Sequence, residues 1–239
     1  MPVKLVQSTP SAYQYPLLIK QLLLTPLAIA PEQEITYQGK LRYNYRTLNE
    51  RIGRLANVLT GLGVESGQTV AMMDWDSHRY LECFFAVPMM GAILQTVNVR
   101  LSPEQILYTL NHAKADVVLV NSEFFPILQQ IAGQLETVKT FVLISDEAEM
   151  PVAPVAPVAM AGEYEALLAA ASPDFDFPDF DENAQATTFY TTGTTGNPKG
   201  VYFSHRQLVL HTLGCAAALG GANQQGHIHR EDVYMPMTP

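Results

Sequence analysis

Leu48, Ile52, Leu55, Leu59 and Leu62 recur at helical spacing, and Gly61 and Gly63 punctuate the end of that run. Thr47-Leu48-Asn49-Glu50 stands ahead of it with the form of a capping box, which predicts a helix start at Thr47. Thr69 to Met73 is a short apolar strand. A helix is expected from about Ser77, carrying the apolar stretch Cys83 to Val87 and closing at Gly91 before a strand over 92–97. Ser102-Pro103-Glu104-Gln105 repeats the grammar of a helix start, with Ile106, Leu107 and Leu110 as its inner face. Val117 to Val120 and Phe141 to Ile144 are wholly apolar strands. Helices alternating with such strands predict an α/β fold with layered, mainly parallel sheets flanked by helices on both faces.

The alternation breaks over residues 146–162, where prolines recur among alanines and valines between Pro151 and Ala159. Proline removes amide donors and pushes its predecessor toward extended backbone, so this tract predicts a semi-rigid surface linker. A short helix over 163–171 follows. In Asp174-Phe175-Asp176-Phe177-Pro178-Asp179-Phe180-Asp181 acids alternate with aromatics, but the glycine and final glutamate of a calcium loop are missing. A solvated connector anchored by its aromatic rings is the expectation. Thr187 to Thr192 and Val201 to Phe203 are strands, and Ser204 caps a helix carrying Leu208, Val209 and Leu213.

Between those last two strands stands the most unusual stretch of the chain, YTTGTTGNPKG over residues 190–200. Glycines allow several N–H groups to point into one concavity, threonines add uncharged donors, and Lys199 adds a mobile point charge whose approach Pro198 stiffens. That combination is a phosphate cradle, and each charge-assisted hydrogen bond to phosphate contributes on the order of 1.5–3 kcal/mol. A flexible hairpin with one exposed lysine is the plainer alternative, disfavoured because the lysine is placed and both flanks are ordered. The spacing is not GxxxxGK[ST], since Gly200-Val201 follows the lysine, so the P-loop of NTPases is disfavoured. No GxGxxG follows a strand, which sets aside a dinucleotide fold.

Composition narrows the rest. The 239 residues are 48% apolar, enough for a sizeable core in one or two domains, but only 15% charged. So few charges point to apolar surface that meets another domain or a partner. A net charge of -9 without any lysine or arginine cluster argues against nucleic acid. Cys83 and Cys215, far apart and in apolar surroundings, predict isolated buried thiols in a reducing compartment. No signal-peptide pattern opens the chain, and Leu17 to Ala30 is too short and interrupted to span a bilayer, so a cytoplasmic location is expected. Met72, Met73, Met89 and Met90 are expected in the core, and Trp75 as a structural anchor. His227-Ile228-His229 with Glu231-Asp232 lies among loop residues and is expected to be solvated surface rather than a metal site.

The loop, with Val201 and the downstream Ser204-His205-Arg206, resembles the signature phosphate loop of the AMP-forming acyl-CoA synthetase superfamily, which also holds luciferases and peptide-synthetase adenylation domains. Tyr43 to Leu48, Arg54 to Asn57 and Gly63 to Val70 resemble that family's first helix and strand. His78 to Pro88, Gly91 to Gln105 and Leu110 to Ala113 are more narrowly similar to medium- and long-chain fatty-acyl-CoA synthetases. The resemblance implies the fold of the N-terminal domain of adenylate-forming enzymes. It also implies a two-step reaction on a fatty acid, using ATP, Mg2+ and coenzyme A. By position, Thr191, Thr192, Gly193, Thr194, Thr195, Gly196 and Lys199 become the phosphate site, with Thr194 near the metal and Lys199 the candidate catalytic residue. The family's chain is roughly twice as long, so residues 1–239 are expected to be a partial, truncated N-terminal AMP-binding domain with the linker at 146–162, the loop at 190–200 and no C-terminal domain. Such a piece is expected to be inactive alone. An aryl- or amino-acid-activating ligase, or a non-catalytic shortened protein that binds a partner or nucleotide, stands as the alternative. A homodimer and peripheral membrane contact are compatible with the resemblance.

Overall fold

The computed structural model describes residues 3–146, 157–191, 196–220, 227–229 and 231–235. Its centre is a seven-stranded sheet in the order β7-β6-β5-β3-β4-β8-β9, in which every neighbouring pair is parallel except β8 and β9. The strands are β3 (Thr69–Met73), β4 (Ile93–Thr96), β5 (Ala115–Asn121), β6 (Thr140–Ile144), β7 (Ala159–Glu163), β8 (Gln185–Thr191) and β9 (Lys199–Ser204). A separate antiparallel hairpin, β1 (Glu34–Tyr37) and β2 (Leu41–Asn44), precedes them.

The apolar strands are buried on both faces because helices lie on each. Val70 and Met72 of β3, Val117 and Leu119 of β5, and Val142 and Ile144 of β6 point into one core. There they meet Leu48, Ile52, Leu55 and Leu59 of α2 (Tyr45–Gly61), Cys83 and Val87 of α3 (His78–Met89), and Leu168 of α6 (Tyr164–Ala170). The alternate residues, Ala71, Met73, Val118, Val120 and Phe141, face Ile106 and Leu110 of α4 (Pro103–His112) and Leu128 of α5 (Phe125–Ile131). The period of two along each strand thus splits one sheet between two cores. An α/β architecture of a mainly parallel sheet with helices on both faces is what the alternation of elements predicted.

Local signals were accurate where the residues that cap an element are neighbours in sequence. Ser77 caps α3, and Ser102 and Ser204 form full capping boxes with Gln105 and Gln207. Gly91 adopts φ +85, with Ser66 Oγ only 2.6 Å from where a Cβ would stand. The start of α2 differs from expectation. Asn44, not Thr47, is the cap, accepting the amide of Thr47 at 3.0 Å. Pairing of Asn44 with Glu34 in the hairpin sets the chain's direction there, so the helix begins at Tyr45.

Other differences are tertiary. Residues 147–156 of the expected linker lie outside the described residues, but Ala159–Glu163 forms β7, parallel to β6 at the sheet edge. Cys83 is buried as expected, whereas Cys215 is exposed on α7 (His205–Leu219), as is Leu213. Only His205 and Val209 of that helix are buried. The connector after α6 is anchored as its aromatics predicted: Phe175 and Phe177 pack on the core, and Lys20 donates to the carbonyls of Phe177 and Pro178. All four core methionines are buried, and Trp75 lies tilted against Phe124 at 5.2 Å while its indole N–H donates to Glu123 at 3.0 Å. Among the described residues no helix is long and apolar enough to cross a membrane.

Helix α2 presses on the same connector through Gly53, where an added Cβ would stand 1.9 Å from the Pro173 carbonyl oxygen. Asn57 seals the contact by donating to the carbonyls of Ser172 and Asp174, each at 2.9 Å. Alanine is favoured over glycine inside a helix by about 1 kcal/mol, but overpacking against backbone costs about 1–3 kcal/mol or more. Gly53→Ala is therefore expected to lower the urea midpoint at constant m; a raised midpoint would show that the helix does not sit this close.

Candidate functional site

Strands β8 and β9 form an antiparallel hairpin whose last paired residues are Thr191 and Lys199. The Thr191 hydroxyl donates to the Lys199 carbonyl at 3.5 Å, so the two expected phosphate-site residues that bound the turn face each other. Lys199 is exposed and makes no ion pair among the described residues. Gly196 adopts φ +95, a left-handed conformation that favours glycine, and nothing lies within 4 Å of where its Cβ would be. Thr192, Gly193, Thr194 and Thr195 lie outside the described residues. The described part of the site therefore offers a free ammonium, one threonine hydroxyl and an open glycine turn, a donor set that fits a phosphate chain.

Elements on both sides hold this hairpin end. Tyr190, 6% exposed, turns its ring toward α4, where its hydroxyl lies 2.8 Å from His112 Nδ1. Burial, followed by the neighbouring Tyr202 and Tyr108 phenols, pushes the Tyr190 hydroxyl well up, so it stays protonated at working pH. Opposite Tyr190 in the ladder stands Gly200, whose Cβ would meet Tyr202 Oη at 3.0 Å and a Tyr190 ring carbon at 3.3 Å. Glycine at this position lets the two tyrosines close over the strand. Sequence reasoning did not single out Tyr190, Tyr202 or His112. The signal available was a tyrosine at each end of a glycine-containing turn, and it names no partner.

His205 is a structural anchor. Its ring is wholly buried, packs edge-on to Phe180 at 4.9 Å, and accepts the Ile19 amide on Nδ1 at 3.2 Å. Burial pushes it down from its ordinary 6.5 to about 4. The unfolded chain therefore takes up this proton first as pH falls. Stability from His205 is complete above about 6.5 and drops on the way to about 4, by roughly 3 kcal/mol in total.

A second titratable group adds to this at lower pH. Burial alone would raise Glu165, but its hydrogen bond to His78 and the Arg51 and Arg79 charges hold it at about 2. Its share is present above about 4.5 and is lost as pH falls toward about 2. Urea unfolding at pH 7, 5 and 4 is expected to show a falling midpoint across that range; a flat profile would contradict the buried neutral imidazole.

Two other polar clusters stand apart from the hairpin. The strand order reverses between β3 and β5, a position where open α/β sheets often bind ligands. Asp74 stands there, but it accepts from Ser77 Oγ at 2.6 Å, Asn121 Nδ2 at 2.7 Å and the Trp75 amide at 2.9 Å, which ties the strand ends together. Glu82, Arg51, Arg79, Glu165 and Asp146 form ion pairs that join α2, α3 and α6. Their donors and acceptors are directed at one another. Among the described residues no group of three or more His, Cys, Asp or Glu side chains is placed to hold a metal ion. His227 Nε2 lies 2.7 Å from the Gly220 carbonyl, and the rings of His227 and His229 meet at 4.4 Å.

A model of the AMP-binding enzyme family matches residues 27–239. A long-chain-fatty-acid–CoA ligase of Thermus thermophilus is 40% identical over 198 residues, covering 83% of this chain and 34% of the relative. A 3-methylmercaptopropionyl-CoA ligase of Ruegeria pomeroyi is 35% identical over 230 residues, covering 94% of this chain and 41% of the relative. The crystal structure of an anthranilate CoA ligase in complex with anthranoyl-AMP matches in fold with a TM-score of 0.72 at 24% identity, over 86% of this chain and 37% of that one. The chain thus spans 34–41% of the length of these relatives.

Proposed function

Because the chain belongs to the AMP-binding enzyme family, we propose that it forms the N-terminal part of a CoA ligase that activates a medium- or long-chain fatty acid through an acyl-adenylate. The observation that carries this reading is the hairpin end at which Lys199, without an ion pair among the described residues, faces Thr191. Support for the substrate class comes from the fatty-acid ligases among the relatives, at 40% and 39% identity. The similarity to a 3-methylmercaptopropionyl-CoA ligase across 94% of the chain favours, as a second reading, a smaller thioether acid.

In the proposed reaction a carboxylate oxygen attacks the α-phosphorus of ATP, the α–β anhydride breaks, and pyrophosphate leaves. The thiolate of coenzyme A then attacks the acyl carbon and AMP departs. Lys199 holds negative charge on the β- and γ-phosphates, and Thr191 and Gly196 shape the turn around them. This is work of positioning and charge neutralisation, with no covalent role for the protein. Thr192, Gly193, Thr194 and Thr195 complete the cradle in this proposal, with Thr194 beside Mg2+, which supplies neutralising charge on the phosphate oxygens when bound. A cytoplasmic setting fits two free cysteines.

The full-length protein, given a panel of fatty, short-chain, thioether, aryl and amino acids, is expected to form thioesters fastest with medium- or long-chain fatty acids. A clear preference for aryl or amino acids would replace that substrate class. Residues 1–239 alone are expected to show no acid-dependent exchange of pyrophosphate into ATP, since most of the relatives' length is not included. Exchange at the rate of the full-length protein would overturn that expectation.

A further inference from the structure

The contact between α4 and the hairpin joins two pieces of chain 78 positions apart. His112 is the last residue of α4, and its ring meets Tyr190 edge-to-face at 5.7 Å as well as through the 2.8 Å Nδ1–hydroxyl contact. Tyr108, one helical turn earlier, stacks near His112 at 5.4 Å and meets Tyr190 edge-on at 6.5 Å. Tyr190 is therefore held by two side chains of one helix, His112 and Tyr108. The place where it is held matters, because Tyr190 pairs with Gly200, and the next pair in the ladder is Thr191 with Lys199.

A tyrosine this buried normally satisfies its hydroxyl, and a strand end is normally free to fray. Here the satisfying group comes from a helix seated in the core through Ile106 and Leu110. The hairpin end is thereby referenced to the body of the domain rather than to its own ladder alone. We propose that His112 is a positioning residue: through the Tyr190 hydroxyl it fixes the Thr191–Lys199 end of the hairpin and so the place of the Lys199 ammonium. The role rests on the reading of this hairpin as a nucleotide phosphate site. His112 touches no reacting atom, and its effect passes through Tyr190.

His112→Ala, Tyr190→Phe and the double variant, made in the full-length protein, test it with two readouts. In each single variant, KM for ATP is expected to rise about 2- to 12-fold, the span of one net hydrogen bond, while KM for the acid is unmoved. Amide exchange at residues 189–191 and 199–201 is expected to speed up over the same range, with the core strands β3 and β5 unchanged. The double variant is expected to match the larger single variant, because both substitutions remove the same His112–Tyr190 bond. His112→Asn, which places an amide nitrogen near the Nδ1 position, is expected to restore most of the loss.

Unchanged exchange at the strand ends, or effects that add in the double variant, would overturn the proposal. Faster exchange with an unmoved KM for ATP would overturn it as well, since the anchor would then hold only the strand. Absence of acid-dependent turnover in the unmodified full-length protein would instead overturn the functional reading, and the exchange comparison would still decide whether His112 places the hairpin end.

Discussion

Lys199→Ala in the full-length protein is expected to lower kcat/KM for ATP by about 10- to 150-fold, the equivalent of one charge-assisted hydrogen bond to phosphate at 1.5–3 kcal/mol. The thermal midpoint is expected to stay nearly fixed. The ladder between β8 and β9 is made by backbone groups, and the Lys199 side chain is exposed and free of ion pairs among the described residues. Removing it deletes charge without opening a cavity. Lys199→Arg keeps the charge but spreads it over a planar fork, so partial recovery is expected rather than full. The initial rate at limiting ATP is the measurement to make, because a lost phosphate contact shows there first. An unchanged rate would remove Lys199 from the site.

The largest stability effect is expected at Glu82, which is 0% exposed and pairs with Arg51. Its two oxygens accept Tyr43 Oη at 3.1 Å, Tyr164 Oη at 2.7 Å, and Arg51 through Nε at 2.7 Å and a terminal nitrogen at 3.2 Å. Breaking a buried ion pair by removing one partner costs about 3–5 kcal/mol, because the remaining groups keep their desolvation penalty and lose their acceptor. Glu82→Ala leaves two phenols and a guanidinium in that state, and it empties volume between α2, α3 and α6. The expected loss corresponds to a fall of about 6–20 °C in Tm for a domain of this size. Glu82→Gln keeps the volume and one acceptor oxygen, so a smaller fall is expected. A loss below about 1 kcal/mol on Glu82→Ala would mean the cluster is solvated rather than sealed.

The contrast between these two residues shows what could be seen in the chain. Lys199 was visible because the chemistry of its loop is written in consecutive residues. The same holds for Ser77, Ser102 and Ser204, whose capping partners lie within three positions, and for β3, whose bounds match the apolar run from Thr69 to Met73. The two burial faces of the sheet were implied by strands apolar at every position. Glu82 looked like one more charge on a helix, since Tyr43 and Tyr164 lie 39 and 82 positions away.

Three misreadings share that cause. Strand β7 was hidden because its partner β6 lies on the far side of a proline-rich stretch of sequence. Asn44 displaced Thr47 as cap because hairpin pairing, a contact outside the helix, set the entry of the chain. Cys215 was expected inside because its neighbours are apolar, but burial depends on what packs against α7, and among the described residues only its first turns are covered. In the candidate site the motif gave Thr191, Gly196 and Lys199, while the Tyr190–His112 contact that holds them required the third dimension.

The most direct test of the account is acid-dependent exchange of labelled pyrophosphate into ATP by the full-length protein, with and without Lys199→Ala. The account predicts exchange that requires a carboxylic acid, is strongest with medium- or long-chain fatty acids, and falls by about 10- to 150-fold at limiting ATP in the variant. Exchange that proceeds without any acid, fails with every acid, or is indifferent to Lys199 would contradict it.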